Sequence, residues 1–324
     1  MKSFLLVGDI GGTHARFALY QGGADGNGEL HRHRTLSAVD HGAFDEAICA
    51  YLDSVGVQST HLVGGGLAVA APLLGGLVQF TNSPWSFAQQ ELQASLQLSR
   101  LTLLNDFEAL AMRVPAVTSE EILTLRAGDL ESRSARLVLG PGTGLGVAGV
   151  VPVSGARGAS WQTLPCEGGH VSFAPSDDFE VDLLQFLQAR YGRVSVERVL
   201  CGEGLVAIHQ VLLSRSGVSD LRAITAAAVT SQALAGERLA RESVLRFLAA
   251  LGSFAGDCAL MYAARGGVYI GGGIVPRFVS LLEESAFLDR FNDKGRMSPW
   301  VSQIPVHLLT DERSALRGVA MAVG

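Results

Sequence analysis

Lysine is almost missing from this 324-residue chain: Lys2 and Lys294 are the only two, so 23 of the 25 basic residues are arginines. A Schiff-base enzyme or a Walker-A nucleotide site needs a lysine at a defined place, and no G-x-x-x-x-G-K-[ST] sequence occurs. Any grip on phosphate must then come from backbone N–H groups, hydroxyls and a metal ion. Cysteine is scarce as well. Cys49, Cys166, Cys201 and Cys258 lie far apart and form no C-x-x-C pair. That excludes a disulfide framework and a zinc knuckle, and free thiols in a reducing cytoplasm are expected. No basic block is present and the formal net charge is −6, which argues against nucleic acid or an anionic membrane as partner. The first apolar stretch ends at Asp9, too short for a signal peptide. Residues 61–80 carry no Asp, Glu, Lys or Arg over the length of a membrane span, but five glycines and Pro72 interrupt them. Two buried strands and a turn are expected there.

What is present is a packed globular chain, 48% apolar and 17% charged, long enough for two domains. Alternation and turn signals predict strands over 4–7 and 15–20, a loop tip over 22–28, a helix over 44–52, and strands over 62–71 and 76–81. A helix over 87–96, a strand over 101–104 and a helix over 106–112 follow. The pattern then repeats, with a strand over 136–139, a glycine-rich turn over 140–146 and a strand over 147–151. Residues 179–254 read as mostly helical. A strand over 268–270 runs into Gly271, Gly272 and Gly273, and Pro276 opens a helix over 277–284. A strand over 306–309 leads to a C-terminal helix from about 312. Strands alternating with helices imply an α/β architecture, and two strand–glycine turn–strand units imply two related halves facing each other. The expected division is a small α/β domain over 1–115 plus about 310–324, and a large α+β domain over 116–309.

The glycine turns carry the first functional signal. A turn without Cβ atoms lets N–H groups point at a phosphate, so two such turns suit a triphosphate. Thr13 and Thr143 add hydroxyl donors, and Asp9 stands where it would hold Mg²⁺, directly or through water. Ordinary hairpin turns have the same composition. A dinucleotide fingerprint at Gly144, Gly146 and Gly149 lacks the helix that must follow it, because residues 147–153 are rich in valine. Asn105 and Asp106 follow a strand and open a helix. They read as an N-cap with Glu108 in a capping box, or as a ligand site with Asp106 as general base at a strand's carboxyl end. Glu167 and His170 bracket two glycines, which disfavours a helical metal motif and suits a loop that hydrogen-bonds a polyol. Glu197 reads equally as a third sugar contact or as an arginine partner on a helix.

Six segments in order, LLVGDIGGTHARF, LLNDFEALA, GPGTGLGVA, EGGHVSFAP, VSVERVLCGEGL and GGVYIGGGIVPRF, resemble the bacterial glucokinase family of the actin-like ATPase and sugar kinase superfamily. The resemblance implies a two-domain actin-like (ribonuclease H-like) α/β fold with an interdomain cleft. It also implies ATP-dependent phosphorylation of glucose to glucose 6-phosphate with Mg²⁺. Gly8, Asp9, Ile10, Gly11, Gly12 and Thr13 would face the ATP phosphates. Gly142, Thr143 and Gly144 would form the second phosphate turn, and Gly271, Gly272 and Gly273 would line the adenosine end. Asn105, Asp106, Glu167, His170 and Glu197 would bind the sugar, with Asp106 as catalytic base. A homodimer is carried as an expectation. The zinc-binding cysteine cluster and DNA-binding helices of the related repressors are absent from this sequence. His14 stands where the family usually has Asn, Glu203 where it usually has Pro, and the tail after Leu309 matches poorly. The alternatives are a kinase of fructose or mannose, a sugar sensor without catalysis, and an ATPase that needs no sugar.

Overall fold

The computed structural model describes residues 4–23, 28–71, 73–80, 85–129, 131–155, 158–218 and 224–323. Part of the expected loop tip over 22–28, together with Pro72 of the apolar stretch and Thr81 of the strand expected over 76–81, lies outside them. The chain divides into two compact units. The first comprises Met1–Glu121, Val153–Pro165 and Asp311–Gly324, and the second Ile122–Pro152 and Cys166–Thr310.

The first unit is built on β1 (Phe4–Ile10), β2 (His14–Gln21), β3 (Glu29–Ser37), β4 (Leu62–Val69) and β8 (Leu101–Asn105), in the order β3-β2-β1-β4-β8. A small antiparallel sheet, β5 (Leu73–Leu74), β6 (Leu77–Gln79) and β7 (Ser86–Ala88), lies between β4 and β8 in sequence. The pleat sorts β1 between two cores. Leu6 and Ile10 join Phe17, Phe44 and Tyr51 of one cluster, which includes α1 (Phe44–Ser54). Leu5 and Val7 point the other way, with Leu316 and Val319 of α10 (Ser314–Val323). Helix α3 (Asp106–Arg113) lies against α10 on that second face. The approach is close: a Cβ on Gly318 would stand 1.8 Å from the Ala109 carbonyl oxygen.

A six-stranded sheet, most of whose strands belong to the second unit, is formed by β9 (Ile122–Arg126), β10 (Arg136–Pro141), β11 (Leu145–Gly155), β12 (Gly158–Cys166), β13 (Val268–Ile270) and β14 (Val306–Leu309), in the order β12-β11-β10-β13-β14-β9. Without β9 this repeats the order of the first sheet. In each, the first strand pairs antiparallel with the second and parallel with the fourth. The two related halves expected from the glycine turns are therefore present. Helices α4 (Asp178–Tyr191), α5 (Gly202–Arg215), α6 (Ala226–Leu234) and α7 (Arg238–Tyr262) fill the expected helical region. Helix α7 is long and apolar enough to cross a membrane, yet Val244, Phe247, Leu248, Leu251 and Phe254 are buried in the unit's core.

Three expectations are corrected. Strand β3 was missed because ELHRHRTLS is polar; it is a half-exposed edge strand. Residues 86–88 form β7 rather than a helix start, since Phe87 pairs with Val78 and stacks on Phe44 at 4.5 Å, and helix α2 is confined to Gln89–Ser95. Residues 277–284 do not form an α-helix. Val275–Leu281 is a 3₁₀ segment broken at Phe278 (φ −135°), whose ring is fully buried.

Candidate active site

In the first unit, β1, β4 and β8 run parallel and end level. Ile10 pairs with Val69, and Val69 with Asn105. The first glycine turn and the Asn105–Asp106 pair therefore leave the same sheet edge, separated by one strand. At a strand spacing of about 4.8 Å, the two features stand about 10 Å apart. This is the edge at which α/β sheets take ligands.

Parity decides which way Asp9 points. It follows Leu5 and Val7 on the α3 face and lies directly opposite Arg16 on β2. Arg16 Nη1 donates to Asp9 Oδ2 at 3.0 Å. Burial nevertheless raises the Asp9 carboxyl above the usual carboxylate range, against the pull of Arg16. Gly8 and Ile10 do not reach the turn. A Cβ at Gly8 would meet Leu67 at 2.7 Å, and Ile10 is fully buried, so both answer to packing. The Gly11 N–H donates to the His14 carbonyl at 2.9 Å. Among the described residues, Gly12 and Thr13 then retain unengaged N–H groups. The exposed Thr13 hydroxyl is hydrogen-bonded to His14 Nδ1 at 3.1 Å.

Both readings of Asn105 and Asp106 survive. The Asn105 side chain caps α3 by accepting from Phe107 N at 2.9 Å, and Asp106 Oδ1 accepts from the same N–H at 3.0 Å. Glu108 turns away from a capping box to accept from the Thr163 hydroxyl at 2.6 Å. Burial first, and the Asp9 carboxylate second, push the Asp106 carboxyl up to about 6. A carboxylate held near neutrality at a ligand-binding edge has the basicity a general base requires.

In the second unit, β10 and β11 turn through Gly142, Thr143 and Gly144. Gly142 N donates to Gly144 O at 2.7 Å, and Gly202 N at the start of α5 donates to Gly142 O at 3.3 Å. The third glycine turn packs on the second. A Cβ on Gly140 would stand 2.0 Å from Gly271 O, and one on Gly272, which takes φ +80°, would stand 2.4 Å from the Pro141 carbonyl oxygen. Gly273 faces open space. Glu167 and His170 bound a 3₁₀ turn, Gly168–His170. Glu167 and Glu197 approach opposite nitrogens of the His170 ring, each at 3.9 Å. Glu197 lies on a 3₁₀ turn (Val196–Arg198) rather than on a surface helix, and its Oε2 accepts from Leu145 N at 2.9 Å. Sequence reasoning missed Arg16, the partner of Asp9. The signal was available in the turn itself, because a hairpin closing between Ile10 and Ala15 sets residues 9 and 16 opposite each other.

Among the described residues no cluster of three or more His, Cys, Asp or Glu side chains is arranged to hold a metal ion. The donor set suits a cation held chiefly by phosphates and water with one carboxylate, Asp9, in support.

The profile of the glucokinase family matches residues 6–324, which takes in the C-terminal helix that the sequence motifs did not reach. A glucokinase of Chromohalobacter salexigens is 44% identical over 98% of this chain and 97% of its own length, and one of Chromobacterium violaceum is 42% identical over 97% and 88%. The crystal structure of a glucokinase from an Antarctic psychrotroph superposes with a TM-score of 0.86 at 36% identity, over 99% of both chains. A glucokinase of the ROK family from Streptomyces griseus, solved with glucose and AMPPNP, shares the fold at a TM-score of 0.61 and 16% identity. With an actin-like α/β fold, glycine turns repeated in both halves and full-length relatives at this level of identity, the chain belongs to the glucokinase family.

Proposed function

We propose that the residues above carry out ATP-dependent phosphorylation of glucose at its C6 hydroxyl. Asp106 accepts the hydroxyl proton as that oxygen attacks the γ-phosphorus in line. The bond to the bridging oxygen breaks and ADP leaves. Asp106 Oδ1 also accepts from Phe107 N, which fixes the carboxylate at the start of α3. Asn105, Glu167, His170 and Glu197 hold the remaining hydroxyls, carboxylates accepting and imidazole donating or accepting. The N–H groups of Gly12, Thr13, Thr143 and Gly144 and the two threonine hydroxyls receive phosphate oxygens, while residues 271–273 line the adenosine end. Mg²⁺, when bound beside Asp9, neutralises charge on the transferring phosphoryl group. The reaction is assigned to the cytoplasm, where free thiols such as Cys201 and Cys258 stay reduced.

The observation that carries this reading is Asp106: half-buried, its carboxyl pushed up to about 6 by desolvation and the nearby Asp9, and level with the first glycine turn across β4. General base help is worth about 10²–10⁴ in rate. Asp106→Ala is expected to lose at least about that much kcat while remaining folded. A coupled assay of ADP release, run with glucose, fructose, mannose and no sugar, checks both the base and the substrate. Full turnover by Asp106→Ala would falsify the base assignment, and equal ADP release without sugar would remove the kinase reading.

A further inference from the structure

The sugar-facing loop and the second glycine turn meet on one residue, Leu145. Its N–H is held by Glu197 Oε2 at 2.9 Å. Its carbonyl oxygen lies 2.2 Å from where a Cβ on Gly169 would stand, so the loop that presents Glu167 and His170 lies directly on the turn. A Cβ on Gly144 would stand 2.4 Å from Glu197 Oε2, so the carboxylate lies against the turn and a side chain at 144 would push it aside. The other carboxylate oxygen, Oε1, faces His170 Nδ1 at 3.9 Å. One carboxylate, 28% exposed, thus touches both the backbone of the nucleotide turn and the sugar loop.

We propose that Glu197 is a positioning residue for the nucleotide turn as well as a sugar contact, so that the sugar site and the shape of the turn are coupled through this one side chain. The proposal rests on the sugar assignment of Glu197 made above. The coupling has a direct mechanical form. A carboxylate drawn toward sugar hydroxyls shifts at Leu145 and Gly144, and a change at Gly144 shifts the carboxylate. Leu145 N–H is then a fixed part of the turn, and the free donors to phosphate are those of Thr143 and Gly144.

The test is a crossed one, with each ligand titrated alone by calorimetry. Glucose is titrated without nucleotide, and a non-hydrolysable ATP analogue with Mg²⁺ is titrated without glucose. A hydrogen bond to a charged group is worth about tenfold or more in affinity. Gly144→Ala, a change in the nucleotide turn, is expected to weaken nucleotide-free glucose binding about tenfold or more. Glu197→Ala, a change in the sugar site, is expected to weaken sugar-free analogue binding by a similar factor. Glu197→Gln keeps an oxygen acceptor for Leu145 N–H, so analogue affinity is expected near that of the unaltered protein while glucose affinity falls. Unchanged analogue affinity in Glu197→Ala overturns the proposal, and so does a loss in that variant which Glu197→Gln fails to restore. That pair decides the matter even if Gly144→Ala does not fold. Unaltered protein that binds the analogue but not glucose would sink the sugar assignment instead, and the analogue titrations would still decide the positioning role.

Discussion

Asp106 carries two demands that pull against each other. The proposed base role asks for an ionised carboxylate, while burial and the nearby Asp9 carboxylate favour the protonated form and push its ionisation up to about 6. For the proposed base, kcat/KM should rise with pH through about 6. A plateau extending unchanged to pH 4.5 would contradict the assignment. The stability consequence has the opposite sign. A carboxyl whose folded value is raised from 3.8 destabilises the fold where it is ionised in both states, and this cost fades as pH falls from about 6 to below 3.8. Asp106→Asn, which can still accept from Phe107 N, should therefore be more stable than the unaltered protein at pH 8 and show no advantage at pH 3.5, as read from denaturant midpoints. His14 makes a milder case. Its only described side-chain contact is the exposed hydrogen bond to Thr13 Oγ1. His14→Asn should leave kcat and the KM for ATP within about twofold to threefold, as for other surface changes. A larger loss in steady-state kinetics would give His14 a role of its own.

At the scale of elements, the helix that carries the proposed base is set by another helix more than 200 residues away in sequence. α3 begins at Asp106, and its Ala109 carbonyl is in near contact with Gly318 of α10. A methyl group at 318 cannot fit at 1.8 Å, so α10 and α3 must part. Overpacking of this kind costs about 1–3 kcal/mol. Gly318→Ala should lower the denaturation midpoint accordingly and also reduce kcat, since the start of α3 moves. Unchanged kcat in a destabilised variant would show that Asp106 is held by its cap and strand alone. A helix near residue 312 was legible from composition, but its partner was not, because helix pairing depends on which faces are buried. The same limit explains the broken helix after Pro276. Local signals favoured a helix there, and burial of Phe278 outweighed them.

For the whole molecule, the proposed sugar site predicts a thermodynamic signature. A ligand that binds only the folded chain adds about 2.7 kcal/mol of stability at 100 times its Kd. Saturating glucose should then raise the thermal midpoint by several degrees. A folded protein whose midpoint does not move in saturating glucose would count against sugar binding as a whole. The strand order is duplicated, and in each half a glycine turn leaves the same place in its own sheet.

Sequence alone determined what depends on neighbours along the chain. Glycine-rich turns between apolar strands, a cap at Asn105 and the order of the elements follow from local conformational preference and hydrophobic period. Six ordered motifs were enough to point to the family. Only the tertiary structure decided which distant groups meet. It put Asp9 and Asp106 on the same face and gave Glu108 to Thr163 instead of to a capping box. It also joined Glu197 to Leu145, 52 residues apart. Such contacts are fixed by sheet register and by the packing of one element on another, and no short window of sequence contains either.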